Sequence, residues 1–101
     1  MAQWTKVTTK SELAPGKCKA AEVNGRNLAI YNVNGTFYVT DNTCAHQGGP
    51  LGEGLLQGSV ITCPWHAWQF DVKNGESIFD SGTKVATFAV KIDDDDVLVD
   101  L

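Results

Sequence analysis

The sequence predicts an all-β domain, and three observations carry that prediction. Asn–Gly pairs recur at Asn24–Gly25, Asn34–Gly35 and Asn74–Gly75. This dipeptide is the strongest short hairpin signal, because both turn residues must accept a positive φ. Around the first two pairs lie KCKAAEV, RNLAIYNV and TFYVT, rich in β-branched and aromatic residues that suit a pleated surface. No long segment carries the apolar period of an amphipathic helix.

Taken in order, Ser11-Glu12-Leu13 suggests a single turn. Residues 17–40 then read as a three-stranded meander. Cys18 alternates with Lys17 and Lys19, so it points inward from its strand. Residues 42–58, NTCAHQGGPLGEGLLQG, hold five glycines and a proline and read as a loop. Its glycines allow close backbone approach or positive φ. Consecutive N–H groups in such a loop can face an anion. Val60-Ile61-Thr62 and Gln69–Val72 are short strand candidates. KVATFAVKI and VLVDL flank Asp93–Asp96 and read as a last hairpin whose aspartates form a solvated turn. Such a set of strands packs as two sheets or a small barrel.

The length of 101 residues sets one domain, 1–101. Hydrophobic residues at 43% and charged residues at 20% match a soluble globular chain. A net charge of -4 argues against nucleic acid and against anionic membrane surfaces, since both demand a basic face. No apolar run approaches the roughly 18 residues of a membrane span. MAQWTKVTTK has no apolar core of a secretory signal. Three cysteines, the only close pair interleaved with histidine, do not make a disulfide scaffold. A reducing cytoplasm is the expected home.

Chemistry concentrates in one stretch, CAHQGGPLGEGLLQGSVITCPWH, from Cys44 to His66. It holds both histidines of the chain and two of its three cysteines, as Cys44-Ala45-His46 and Cys63-Pro64-Trp65-His66, with sixteen residues between His46 and Cys63. Three explanations compete. The residues could be incidental, with the cysteines serving as small buried hydrophobes. They could hold one tetrahedral zinc, although each knuckle is mixed where the usual pattern separates cysteines from histidines. They could hold a two-iron cluster, one iron taking both cysteines and the other both histidines.

Cys-x-His followed by Cys-x-x-His resembles the Rieske [2Fe–2S] motif. CAHQGGPL, CPWHAWQFD and FAVKIDDDDVLVDL all resemble segments of soluble Rieske-type ferredoxins, and the resemblance covers nearly the whole chain. It implies an antiparallel β-sandwich core with a small inserted cluster-binding subdomain at about residues 42–70. It implies one [2Fe–2S] cluster, with Cys44 and Cys63 on the inner iron and His46 and His66 on the outer. Pro64 and Trp65 would cap the second loop, Trp65 either packing against the cluster or standing part-exposed at a docking surface. Trp68 and Phe70 read as core. High-potential relatives carry a disulfide beneath the cluster and two hydroxyls bonded to its sulfurs. Gly49 and Trp65 take the disulfide positions here, and Trp68 and Phe70 take the hydroxyl positions. A low potential follows, toward roughly -150 mV.

The function implied is that of a monomeric electron carrier, transiently meeting a flavin-dependent reductase and a terminal oxygenase. An alternative is a small subunit of a larger redox enzyme, such as a nitrite-reductase-like assembly. Catalysis by the chain itself is not expected. A mononuclear oxygenase iron needs two further histidines, and His46 and His66 are both committed.

Overall fold

The fold is set by a strand that is buried on both faces. A computed structural model describes residues 4–23, 25–42, 51–63, 69–78 and 84–100. Ten strands make up most of it. They are β1 (Trp4–Thr9), β2 (Cys18–Val23), β3 (Arg26–Val33), β4 (Thr36–Asp41), β5 (Leu55–Gln57), β6 (Val60–Thr62), β7 (Gln69–Asp71), β8 (Thr87–Phe88), β9 (Val90–Asp93) and β10 (Asp96–Asp100). Short 3₁₀ turns occupy Lys10–Glu12 and Leu51–Glu53. The strands form three sheets, ordered β1-β10-β9, β2-β3-β4-β8 and β5-β6-β7, and every strand pairing is antiparallel.

Period-two alternation along β3 assigns its two faces. Leu28 and Ile30 point one way and join Leu13, Phe37, Val39, Val97 and Val99. This is the core between the central sheet and β1-β10-β9. Ala29 and Tyr31 point the other way and join Leu51, Leu56, Ile61, Cys63, Phe70, Val72 and Val85. This second core lies under the small sheet. Leu28 to Asn32 are therefore buried without a break. Asn32 is tolerated there because its amide is matched. Its Nδ2 donates to the Leu13 carbonyl at 2.7 Å, and its Oδ1 accepts from Gly35 N–H at 2.7 Å.

The meander at 17–40 is present as expected, with β2 paired to β3 and β3 to β4. Asn34 and Gly35 both have positive φ, 52° and 93°, as a tight primed turn requires. Asn24 lies outside the described residues. The inward orientation of Cys18 also holds, since it packs half-buried against the second core. The 3₁₀ turn lies within one residue of the turn expected at Ser11–Leu13. Phe70 is fully buried.

The antiparallel sandwich is present as expected, with β5-β6-β7 as a small sheet of its own. Three other expectations need correction. Residues 42–58 are not all loop, since the 51–53 turn and β5 lie within them; Leu56 between exposed Leu55 and Gln57 is too short an alternation to stand out. KVATFAVKI is not one strand. Thr87–Phe88 pairs with β4, and beyond Ala89 the chain pairs with β10, so it changes sheets there. Asn74–Gly75 is not a two-residue hairpin. Only Gly75 has positive φ, and the turn is wider, closed by Gly75 N–H to the Asp71 carbonyl and Asp71 N–H to the Glu76 carbonyl. Asp71 and Asn74 side chains accept from Lys73 and Glu76 N–H, so the side chains build this turn. The sequence also left Trp4–Thr9 unassigned, and it pairs with β10 through an irregularity between Lys6 and Thr8.

The aspartates at 93–96 turn the β9–β10 hairpin, with Asp94 at φ 56°. Asp93 to Asp95 are exposed as expected, but the turn is not merely solvated. The Asp95 carboxylate accepts from the Ser11 hydroxyl at 2.8 Å and from Ser11 N–H at 3.2 Å.

Gly35 and Gly75 supply a test of these turns. Both have positive φ, but a Cβ on Gly35 meets open space, whereas one on Gly75 would collide with the Val85 carbonyl oxygen. Gly35→Ala should cost about 1 kcal/mol through φ alone. Gly75→Ala should cost at least about 2 kcal/mol, because backbone must also move. Urea unfolding of both variants decides, and equal costs would contradict the wider turn.

Candidate metal centre

Two stems frame the stretch that carries the Cys/His pairs. The first is closed by Asn42, whose carbonyl accepts from Leu51 N–H at 2.8 Å. The Asn42 Oδ1 accepts from Gly52 N–H at 2.7 Å. Asn42 N–H donates to the Asn27 carbonyl at 3.0 Å, tying this stem to the start of β3. The second stem is the end of the β6–β7 ladder, where Thr62 faces Gln69. Gln69 Nε2 donates to Thr62 Oγ1 at 3.2 Å.

The stems stand side by side because glycine lets them. A Cβ on Gly54 would strike the Thr62 carbonyl oxygen. Gly52 is pressed as closely on β2, where a Cβ would lie 2.6 Å from Ala20 N and 2.7 Å from Lys19 C. Cys18 lies beneath this turn, and its thiol is 3.5 Å from the carbonyl oxygens of both Gly52 and Gly54. One S–H shared between two carbonyls is a weak bond. Burial pushes the Cys18 thiol above its ordinary pKa, only partly offset by the charge of Lys17. It stays protonated at neutral pH and donates to these carbonyls.

Cys63 follows the second stem directly. It is 1% exposed and packs in the same core as Leu51, which follows the first stem. Of the four sequence-predicted ligands, Cys63 is described. Cys44, His46 and His66 lie outside the described residues, as do Gly49, Pro64, Trp65 and Trp68. Among the described residues no group of three or more potential ligands gathers. Cys63 nonetheless fits an iron–sulfur group. A buried thiol can lose its proton when a metal balances the charge, and Cys63 is buried directly after the second stem.

The sequence missed Asn42 and the seat of Cys18. An asparagine just ahead of a glycine-rich segment is a known signal for side-chain-to-backbone bonding. The proximity of Cys18 to Gly52 and Gly54, across 34 and 36 residues of chain, left no local trace.

The buried hydroxyls beside this site also point at the first stem. Tyr31 Oη and Thr40 Oγ1 are 2.9 Å apart, and Thr40 Oγ1 donates to the Asp41 carbonyl at 3.0 Å. With the Thr40 proton so committed, Tyr31 is the donor of the pair. The chain of bonds ends one residue before Asn42.

Gly54→Ala tests the contact between stems. The variant should lose about 1–3 kcal/mol, the usual cost of overpacking a filled site. Chemical denaturation checks it, and wild-type stability would show that the stems can separate freely.

Residues 3–89 match the family model of the Rieske [2Fe–2S] domain. The chain is 35% identical over 100 residues to the ferredoxin component of the naphthalene 1,2-dioxygenase system of Pseudomonas putida, covering 98% of this chain and 96% of that one. Its fold is similar to that of the ferredoxin of carbazole 1,9a-dioxygenase from Nocardioides aromaticivorans IC177, with a TM-score of 0.90, 27% identity and 98% of both chains covered. It is also similar, with a TM-score of 0.87 and 34% identity over 96% of this chain and 92% of the other, to a chain in a complex of reduced oxygenase and oxidised ferredoxin in carbazole 1,9a-dioxygenase. With a buried cysteine between two closed stems and a family match across most of its length, this chain belongs to the Rieske [2Fe–2S] family, and one [2Fe–2S] cluster is its cofactor.

Proposed function

We propose that this protein is a soluble, cytoplasmic, monomeric ferredoxin that passes single electrons from a flavin-dependent reductase to a terminal oxygenase. The observation that carries the proposal is the burial of Cys63 between the two stems, in a chain so similar to dioxygenase ferredoxins. The cluster supplies one-electron chemistry when bound. The residues proposed to hold it are Cys44 and Cys63 on the inner iron and His46 and His66 on the outer. The cluster-binding unit is proposed at about residues 42–70 of a single domain, 1–101. Among the described residues no helix is long and apolar enough to cross a membrane.

The mixed ligand set has a direct electrostatic consequence. Two ferric ions, two sulfides, two thiolates and two neutral imidazoles leave the oxidised cluster neutral, where four thiolates would make it a dianion. An electron enters a neutral group more easily than an anion. Phe70, fully buried in β7, brings no hydroxyl where high-potential relatives have one. The potential is expected in the low part of the Rieske range, near about -150 mV.

The small sheet offers a face for the partner. Leu55, Thr62, Gln69 and Ile78 form one outward row, set by the Leu55–Thr62 and Thr62–Gln69 pairs and by Ile78 N–H to the Gln69 carbonyl. Leu55 and Ile78, the ends of this row, are 59% and 50% exposed. The row carries the second stem, so a partner approaching the 63–68 segment would meet it. The Asp93–Asp96 turn lies on the other outer sheet, across the central sheet from Cys63.

Two experiments test the proposal. Cys63→Ser should lose the cluster and its visible absorption, and a fully loaded coloured variant would remove Cys63 from the ligand set. His66→Cys adds a negative charge, so any cluster that assembles should show a lower potential by protein-film voltammetry; an unchanged value would contradict the charge argument.

Docking gives the remaining check. Leu55→Lys should slow reduction of a basic-rimmed oxygenase by about fivefold or more, and added salt should slow the wild type, as electrostatic steering requires. Asp93→Lys should have little effect. The reverse order of sensitivities would place the docking face on the wrong sheet.

A further inference from the structure

We infer that Asn42 is a positioning residue for the cluster, tying together the two ends, at Asn42 and at Leu51–Gly52, of the stretch of sequence that carries Cys44 and His46. This inference rests on the ligand assignment proposed above. Asn42, just after β4, and Leu51 are the described ends on either side of residues 43–50. Bringing the ends of such a segment together costs entropy, and its glycines raise the cost of ordering it. Asn42 meets that cost with three bonds. Its N–H is held by the Asn27 carbonyl, its carbonyl holds Leu51 N–H, and its Oδ1 holds Gly52 N–H at 2.7 Å.

Both sides of this clamp are anchored in strands. On the entry side, Asp41 N–H donates to the Ala86 carbonyl at 2.9 Å, and the Asp41 carbonyl accepts from Thr40 Oγ1. On the exit side, Gly52 lies against the Ala20 backbone and its carbonyl faces the Cys18 thiol. Two of the three Asn42 bonds are main-chain and survive substitution. The Oδ1 bond alone depends on the side chain. Losing it leaves a part-buried Gly52 N–H unmatched and frees the exit of the loop by one residue.

Asn32 supplies the control. It is another well-bonded asparagine, buried at 3%, and also ties backbone segments through both amide atoms. Its partners are Leu13 and Gly35, remote from both stems in the chain. A merely structural role for Asn42 would make the two asparagines behave alike.

The experiment uses the cluster-loaded protein. Cluster release is followed by loss of visible absorption in the presence of an iron chelator, unfolding by far-ultraviolet circular dichroism, and cluster geometry by electron paramagnetic resonance of the reduced state. Asn42→Ala should release the cluster about tenfold faster than wild type, the factor expected for one lost hydrogen bond with its donor left unmatched. Its resonance lines should shift or broaden, while the β-core melts near the wild-type temperature. Asn42→Asp, which keeps an acceptor oxygen in place, should restore the release rate to within about twofold. Asn32→Ala should lower the melting temperature and leave release below that temperature unchanged. If Asn42→Ala does not fold, Asn42→Ser is read by the same measurements, since its hydroxyl is too short to span to Gly52.

The inference fails if Asn42→Ala releases no faster than wild type, if release tracks unfolding as in Asn32→Ala, or if Asn42→Asp does not rescue. Cys44→Ser separates this from failure of the ligand assignment. A fully loaded Cys44→Ser protein overturns the assignment and the inference with it. A Cys44→Ser protein without cluster, beside an Asn42→Ala protein with wild-type release, overturns the clamp alone.

Discussion

Every layer of this protein takes its place from the burial of β3 on both faces. Five consecutive residues, Leu28 to Asn32, are shut from water. A strand in that position cannot show one polar and one apolar side, as an ordinary sandwich strand does. It must be covered twice. Val97 and Val99 of β10 cover the Leu28–Ile30 face, and Leu51, Ile61, Phe70 and Cys63 cover the Ala29–Tyr31 face. The first cover closes a stable core. The second brings the small sheet, and with it Leu51 and Cys63 beside the two stems, onto the same scaffold.

That placement explains how so small a sheet is held in place. Three strands of three residues each cannot stand alone as a sheet. They are held by burying Leu56, Ile61 and Phe70 against β3, and by two close approaches where glycine replaces a side chain, Gly52 on β2 and Gly54 on β6. Polar connections then fix what apolar packing leaves free. The Tyr31–Thr40–Asp41 chain and the three bonds of Asn42 lie between the second core and the first stem. Non-directional burial brings the stems together, and directional bonds set their spacing.

The class and the meander were legible because their signals are local. Asn34–Gly35 announces its own turn, and the residues of β3 and β4 are strand formers whatever they pair with. The two Cys/His pairs stand out in the sequence for the same reason, since each spans only a few residues; of the four, Cys63 lies among the described residues. What escaped depends on distant partners. β5 has one buried side chain and is a strand only because Thr62 and Ile61 face it. KVATFAVKI looks continuous, but its two halves serve different sheets, and nothing at Ala89 marks the crossing. Asn74–Gly75 carries the hairpin dipeptide, yet the carboxylate of Asp71 and the amide of Asn74 close a wider turn. The Asn42 clamp needs Gly52, ten residues on, in a segment whose glycines read first as looseness.

Those glycines serve two opposed ends, and their positions separate them. Gly58 is where the chain needs a positive φ to turn, with open space where a Cβ would be. Gly52 and Gly54 have no positive φ; they are glycine because backbone lies where a Cβ would be. The first kind confers freedom on the chain, and the second removes space around it. A glycine-rich segment beside a redox centre can thus be one of the closest-packed parts of a molecule. This suits an electron carrier, whose ligands should not rearrange when the charge of the cluster changes by one. Closeness of backbone to backbone, at Gly52 beside the Asn42 side chain and at Gly54 beside the Thr62 carbonyl, resists rearrangement of the stems through neutral groups.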